Sequence, residues 1–259
     1  MRKINKILTL LLFLITASGM LVAQDKLNNT PLFLIHQDQV YPYMSEKYES
    51  ALKNFRDLLA QNNIDEMSFT VAQQEYFTYS AVIPVNDYNG LAKHFGMSGE
   101  MISKIGKENF SNAMKMFDGC YDNHKNFILR LRNDLSYIPK YGLDSKDGLN
   151  FRHFDYLHII PGKEAEMMKI LKEWKELYAK HKIKEGYRVY LGDLGTDMPM
   201  VLFVTPSKDR VSWATESDKI DKILGDEQKV LLKKTFSIMQ RFEHKNGTMR
   251  PDLAYTKSK

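Results

Sequence analysis

The sequence predicts an α+β protein built from two copies of one strand-and-helix unit, and three observations carry that expectation. The motif Arg132-x-Asp134-Leu135-x-Tyr137 returns near the end of the chain as Arg250-x-Asp252-Leu253-x-Tyr255. A helical stripe in the first half returns 119 residues later with every position still apolar. Extended segments flank that stripe in both halves, so the repeat runs through several elements in succession.

The chain begins with Arg2, Lys3 and Lys6, continues with an apolar run from Ile7 to Ile15, and then has small residues at Ala17, Ser18, Gly19 and Ala23. This is the pattern of an export signal, and the run is shorter than the roughly 20 apolar residues of a membrane anchor. Residues 1–23 are therefore expected to be a signal peptide. The mature protein is expected to be periplasmic or secreted, without membrane attachment. Loss of Arg2, Lys3 and Lys6 takes the net charge from +5 to +2. The remaining Lys and Arg alternate with Asp and Glu instead of forming a basic stripe, which argues against a nucleic-acid partner. The single cysteine, Cys120, allows no intrachain disulfide, so stability must come from the core.

Repeat 1 is expected over residues 31–138, and a linker rich in Gly, Pro, Asp and Lys over 139–150. Repeat 2 follows over 151–256. In repeat 1, Pro31 to Tyr41 reads as a strand that Pro42 ends. Tyr48, Ala51, Leu52, Phe55, Leu58 and Leu59 then form one helical stripe. The matching stripe in repeat 2 is Met167, Ile170, Leu171, Trp174, Leu177 and Tyr178, while Pro161 and Ile183 match Pro42 and Ile64. Two extended segments follow in each copy: Met67 to Gln73 with Tyr76 to Ile83, and Tyr187 to Leu191 with Met200 to Thr205. The second pair is joined by the turn-rich Gly192-Asp193-Leu194-Gly195. Apolar spacing predicts a long helix over Met101 to Leu131 and another over Asp226 to Glu243.

The order strand, helix, strand, strand, helix is close to the split pattern of ferredoxin-like units. With the repeat register, the tandem arrangement resembles the dimeric α/β-barrel superfamily, in which two ferredoxin-like units bring their sheets face to face. The resemblance implies a single-chain version of that arrangement. That superfamily includes haem-binding and haem-degrading proteins, chlorite-dismutase-like enzymes and cofactor-free monooxygenases acting on aromatic substrates. Its haem-binding members commonly use a helical histidine, for which the candidates here are His94, His124 and His244.

Strand alternation puts Ile35, Gln37, Gln39 and Tyr41 on one face, and Phe154, Tyr156, His158 and Ile160 on the matching face of repeat 2. If these faces line the space between the sheets, Gln37, Gln39, Tyr156 and His158 are its polar ligand-binding groups. His36 with Asp38, and His153 with Asp155, share the other face. They suit hydrogen-bonded histidines better than a metal site, because no third ligand is closely spaced. Cys120 belongs to an apolar stripe and reads as a small buried hydrophobe. No Gly-rich phosphate loop, G-x-S-x-G or H-E-x-x-H pattern is present.

The expected function is non-catalytic binding of a small apolar or aromatic molecule between the sheets, without a cofactor. Two other readings stand beside it. One is a cofactor-free or haem-dependent oxidoreductase in the same cavity, with His158 or His36 as base or ligand. The other is a protein-interaction module with a packed interior, and the sequence leaves homo-oligomerisation open.

Overall fold

The structure, a computed structural model, describes residues 30–65, 67–96, 98–139 and 148–256. The expected signal peptide and most of the expected linker lie outside these residues. The first half runs β1 (Leu32–Val40), α1 (Ser45–Gln61), β2 (Thr70–Gln74), β3 (Thr78–Val85), α2 (Tyr88–Gly96), α3 (Ser98–Ile105), α4 (Lys107–Lys115) and β4 (Tyr121–Leu131). The second runs β5 (Phe151–Ile159), α5 (Glu164–Lys180), β6 (Arg188–Gly192), β7 (Met200–Ser207), α6 (Arg210–Ser237) and β8 (Met239–Met249). The α+β expectation and the tandem ferredoxin-like units hold.

The eight strands form one closed barrel in the order β1-β3-β2-β8-β5-β7-β6-β4. Every pairing is antiparallel, so β1 and β5 run in the same direction on opposite sides. Closure leaves no free sheet edge. The two joints are exchanges: β4 of the first half pairs with β6 of the second, and β8 of the second pairs with β2 of the first. At the second joint, a Cβ on Gly247 would meet Gln73 O at 2.7 Å, so glycine permits the close approach.

The expected long helices are corrected. Helical structure ends at Lys115, Gly119 turns the chain with φ +72°, and Tyr121 to Leu131 is a full-length strand. Likewise α6 ends at Ser237 and β8 follows at once. Residues 120, 121, 124, 127, 128 and 131 do carry helical spacing. The unpaired side of β1 selects the strand, taking β4 in register from Leu32↔Arg130 to Gln39↔Asn123. His124 and His244 therefore lie on strands, and of the three candidate helical histidines only His94 is on a helix.

Each half buries a core between its part of the sheet and its helices. Tyr48, Leu52, Phe55 and Leu59 of α1 pack with Leu34, Val71 and Ile128 in the first, and Met167, Ile170 and Leu171 of α5 pack with Leu157, Val189 and Val201 in the second. A third, smaller cluster of Ile35, Ala72, Leu129, Phe154, Met200 and Leu202 faces the barrel lumen.

The repeated Arg-x-Asp-Leu-x-Tyr tails cross between the halves. Tyr137 bridges Tyr187, and its hydroxyl donates to Ile183 O at 2.8 Å; Tyr255 bridges Phe69, and its hydroxyl donates to Ile64 O at 3.1 Å. Leu135 sits in the second half's core and Leu253 in the first's, both at 0% exposure. Arg250 reaches both oxygens of Glu49 at 2.6 and 2.7 Å, and these bonds hold the Glu49 carboxyl below the usual carboxylate range. Because each tail completes the other half's core, Leu135→Ala and Leu253→Ala should each cost about 2–5 kcal/mol. Calorimetry should still show one unfolding transition. Two separated transitions would mean that the halves fold independently.

Candidate functional site

A cavity of about 540 Å³ occupies the barrel lumen. Its wall alternates with the sheet pleat, taking Phe33, Ile35 and Gln37 from β1, and Arg152, Phe154 and Tyr156 from β5. Val82, Phe127, Leu129, Tyr190, Leu202 and Met249 make the remainder largely apolar and aromatic. The interior is therefore not filled by side chains. The residues nearest the start of β1 and β5 line one end, together with Leu149, Asn150, Pro251 and Ala254 from the adjoining loops.

Four polar side chains form a belt at the end of the cavity away from the starts of β1 and β5. Gln37 Nε2 donates to Ser80 Oγ at 3.0 Å, and Gln74 Nε2 donates to the Tyr156 hydroxyl at 3.0 Å. Gln74 is only 5% exposed, and its Oε1 has no hydrogen-bond donor among the described residues. A buried acceptor left without a donor costs about 1–3 kcal/mol, and with under 1 Å² of accessible surface this oxygen does not open onto the cavity. Burial pushes the Tyr156 hydroxyl up to about 12, so it stays protonated at neutral pH. Because the hydroxyl oxygen already accepts from Gln74, its proton is directed elsewhere. Lys245 Nζ lies 5.7 Å from the centroid of the Tyr156 ring and helps fix it.

Of the four residues expected from sequence, Gln37 and Tyr156 line the cavity, and Gln39 and His158 do not. Gln39 accepts from Thr78 Oγ1 at 2.9 Å and donates to Tyr76 O. His158, at 5% exposure, has Arg241 Nη2 3.0 Å from its Nε2 and Asp197 O 3.4 Å from its Nδ1. Both residues stand one alternation further along their strands. Gln74, Tyr190, Arg152 and Arg188 were missed. Arg152 shares the alternation of Phe154 and Tyr156, a signal that was available.

The histidine sets on the outer face of the sheet are separate from the cavity. His36 Nδ1 donates to Asn126 Oδ1, and Asn126 Nδ2 donates to His124 Nε2 at 3.0 Å. His124 Nδ1 then donates to Asp38 Oδ1 at 2.5 Å, and the Tyr48 hydroxyl donates to Asp38 Oδ2 at 2.6 Å. Both nitrogens of His124 are engaged, which describes a packing network more than a poised base. In the other half, His153 contacts Asn246 at 2.8 Å and Asp155 at 3.0 Å, and stacks on Trp213 with ring centroids 4.0 Å apart. Among the described residues, no group of three His, Cys, Asp or Glu side chains has the geometry to hold a metal ion. Cys120 is buried among the core side chains of the first half.

Neither histidine nor cysteine is among the described side chains that line the lumen; of the residue types that ligate haem iron, its wall carries Tyr156, Tyr190 and Met249. His36, His94 and His124 stack together outside the sheet, with centroids of neighbouring rings 5.8–5.9 Å apart.

No protein-family model matches the chain, and no curated protein matches it by sequence. Solved structures match its fold. A candidate monooxygenase from Fusobacterium nucleatum superposes with a TM-score of 0.55 at 15% identity, covering 85% of this chain and 92% of that one. An anthrone oxidase-like protein also gives 0.55, at 11% identity, with coverage of 86% and 92%. A candidate monooxygenase from Lactobacillus acidophilus gives 0.53 at 10% identity, with coverage of 88% and 97%. At these identities the likeness establishes the fold, that of the dimeric ferredoxin-like α/β barrels. The expectation of a non-catalytic binding protein is corrected: these neighbours are named for oxidative catalysis, and the oxidoreductase alternative accords with them better. Among the described residues, no helix is long and apolar enough to cross a membrane.

The outer histidines give a pH signature. Burial lowers the pKa of His36 and of His94 from the ordinary 6.5, so their contribution to stability is complete above that value and is lost as the pH falls below it. His153 runs the other way. Burial pulls it down, but Asp155 and Asn246 more than offset this and raise it, so its contribution is present below 6.5 and lost as the pH rises through its folded value. Melting temperatures measured between pH 7.5 and 5.5 should therefore fall less in His36→Gln than in the parent, and more in His153→Gln. Parallel curves for all three would show that the networks do not titrate with folding.

Proposed function

We propose that the protein is an oxidoreductase of the monooxygenase type, acting without haem on an electron-rich apolar or aromatic molecule held in the barrel lumen. One observation carries the reading: an apolar cavity of about 540 Å³ with a protonated tyrosine hydroxyl, held by Gln74, at its inner end. The oxidase and monooxygenase names of the structural neighbours support it.

The chemistry asked of the protein is modest. Dioxygen is the oxidant and the substrate supplies the electrons; one oxygen atom enters the product and the other leaves as water. The Gln74 amide holds the Tyr156 hydroxyl oxygen and so fixes the direction of its proton. Tyr156 donates to the oxygen of the substrate as negative charge develops there, in a lumen where water is largely excluded and such bonds are stronger. The apolar wall of Phe33, Phe127, Phe154 and Leu202 holds the ring system. Gln37 and Ser80, paired to each other, position the opposite side.

Oxygen uptake with hydroxylated polycyclic aromatics tests this directly. Tyr156→Phe should lower kcat/KM about tenfold, the equivalent of about 1.4 kcal/mol of lost hydrogen bonding, with the melting temperature little changed. Uptake unaffected by Tyr156→Phe, or absent with every such substrate, would refute the reading.

A further inference from the structure

The charge lining the lumen has one sign. Arg152, Arg188 and Arg250 contribute to the wall, and neither Asp nor Glu is among its described residues. Arg250 is accounted for by Glu49 and Asp252. The other two are not. Arg152 Nη1 donates to the carbonyls of Leu149 and Phe151, which leaves its Nε and Nη2 without a partner among the described residues. Among the described residues, Arg188 meets the Tyr190 hydroxyl.

Their placement follows from the sheet. Arg152 pairs with Pro206 of β7, and Arg188 pairs with Val204 of the same strand, so the two guanidinium groups approach from either side of β7 at the end where β1 and β5 begin. Burial pulls the Arg152 guanidinium below its ordinary value and the neighbouring Arg188 adds to this, as expected of cations that share a site without a counter-ion. An uncompensated cation in a half-buried site is costly, whereas a planar carboxylate matches the guanidinium fork.

We infer that the substrate carries a carboxylate, bound by Arg152 and Arg188 at the mouth of the lumen, with its apolar body reaching inward to the Gln74–Tyr156 belt. This rests on the lumen being the substrate site and narrows the substrate class to aromatic or apolar monoacids. Arg152 and Arg188 are then specificity-determining residues, removed from the reacting oxygen.

The test compares an anthracene carboxylate with its neutral carboxamide by fluorescence titration of the purified chain at fixed ionic strength. The acid should bind at least about tenfold more tightly than the amide. Arg152→Gln and Arg188→Gln should each erase most of that ratio by weakening the acid, leaving the amide within about twofold of its parent affinity. Because the two probes are compared on the unmodified protein first, the outcome does not depend on the variants folding. Equal affinity for acid and amide would overturn the inference. Failure of both probes to bind would remove the lumen as the substrate site and the inference with it. A preserved acid preference without oxygen uptake would refute the oxidative reading alone.

Discussion

The structure depends on an exchange between its halves. A ferredoxin-like unit alone would leave the outer edges of β2 and β4 with unpaired backbone groups, and here each edge is completed by the other copy. The tails repeat the exchange at the level of side chains, since Tyr137 caps the α5 exit at Ile183 while Tyr255 caps the α1 exit at Ile64. The two copies are not identical in this respect. Arg250 finds Glu49, whereas Arg132 at the matching place finds Met168 and relies on Asp134. The tail ion pair therefore reinforces one joint, while the joint of β4 with β6 has its own, Arg130 Nη2 to Asp193 Oδ2 at 2.9 Å.

Closure creates the lumen, and side-chain size decides whether it fills. Ala72, Ser80 and Gly247 present little or no side chain toward the interior, and the space they leave is bounded by Phe33, Phe127, Phe154 and Tyr156. Both outer cores are covered by helices. The polar network of the first half's outer face bonds within itself while His124 and Asn126 remain exposed. The lumen combines space and aromatic walls with donors of Arg152 that have no partner among the described residues.

Much of the fold was legible in the sequence. The helical stripes of Tyr48–Leu59 and Met167–Tyr178 mark the buried faces of α1 and α5, and strand alternation marks which of Gln37 and Tyr156's neighbours face inward. The closing strands were not legible, because Cys120, Tyr121, His124, Phe127, Ile128 and Leu131 have helical spacing. Both faces of β4 are buried near its end, so alternation disappears, and pairing with β1 is a long-range property that a local pattern does not contain. The site was half legible for a related reason. Alternation identifies a face but not its depth, so His158 and Gln39 were grouped with Tyr156 and Gln37, while Arg152, on the same face nearer the mouth, was passed over. Gln74 meets Tyr156 only through the exchange that pairs β2 with β8, and Arg188 meets Arg152 across β7, pairings that no spacing along the chain reveals.

The most direct test of the account is oxygen uptake by Ala72→Phe, which fills the lumen from β2 while leaving the outer histidine networks and both helical cores untouched. The account predicts that uptake with hydroxylated polycyclic aromatics disappears while unfolding stays cooperative. Undiminished uptake in a variant shown to be folded would contradict it, and would move the chemistry to the His36–His124 network on the outer face of the sheet.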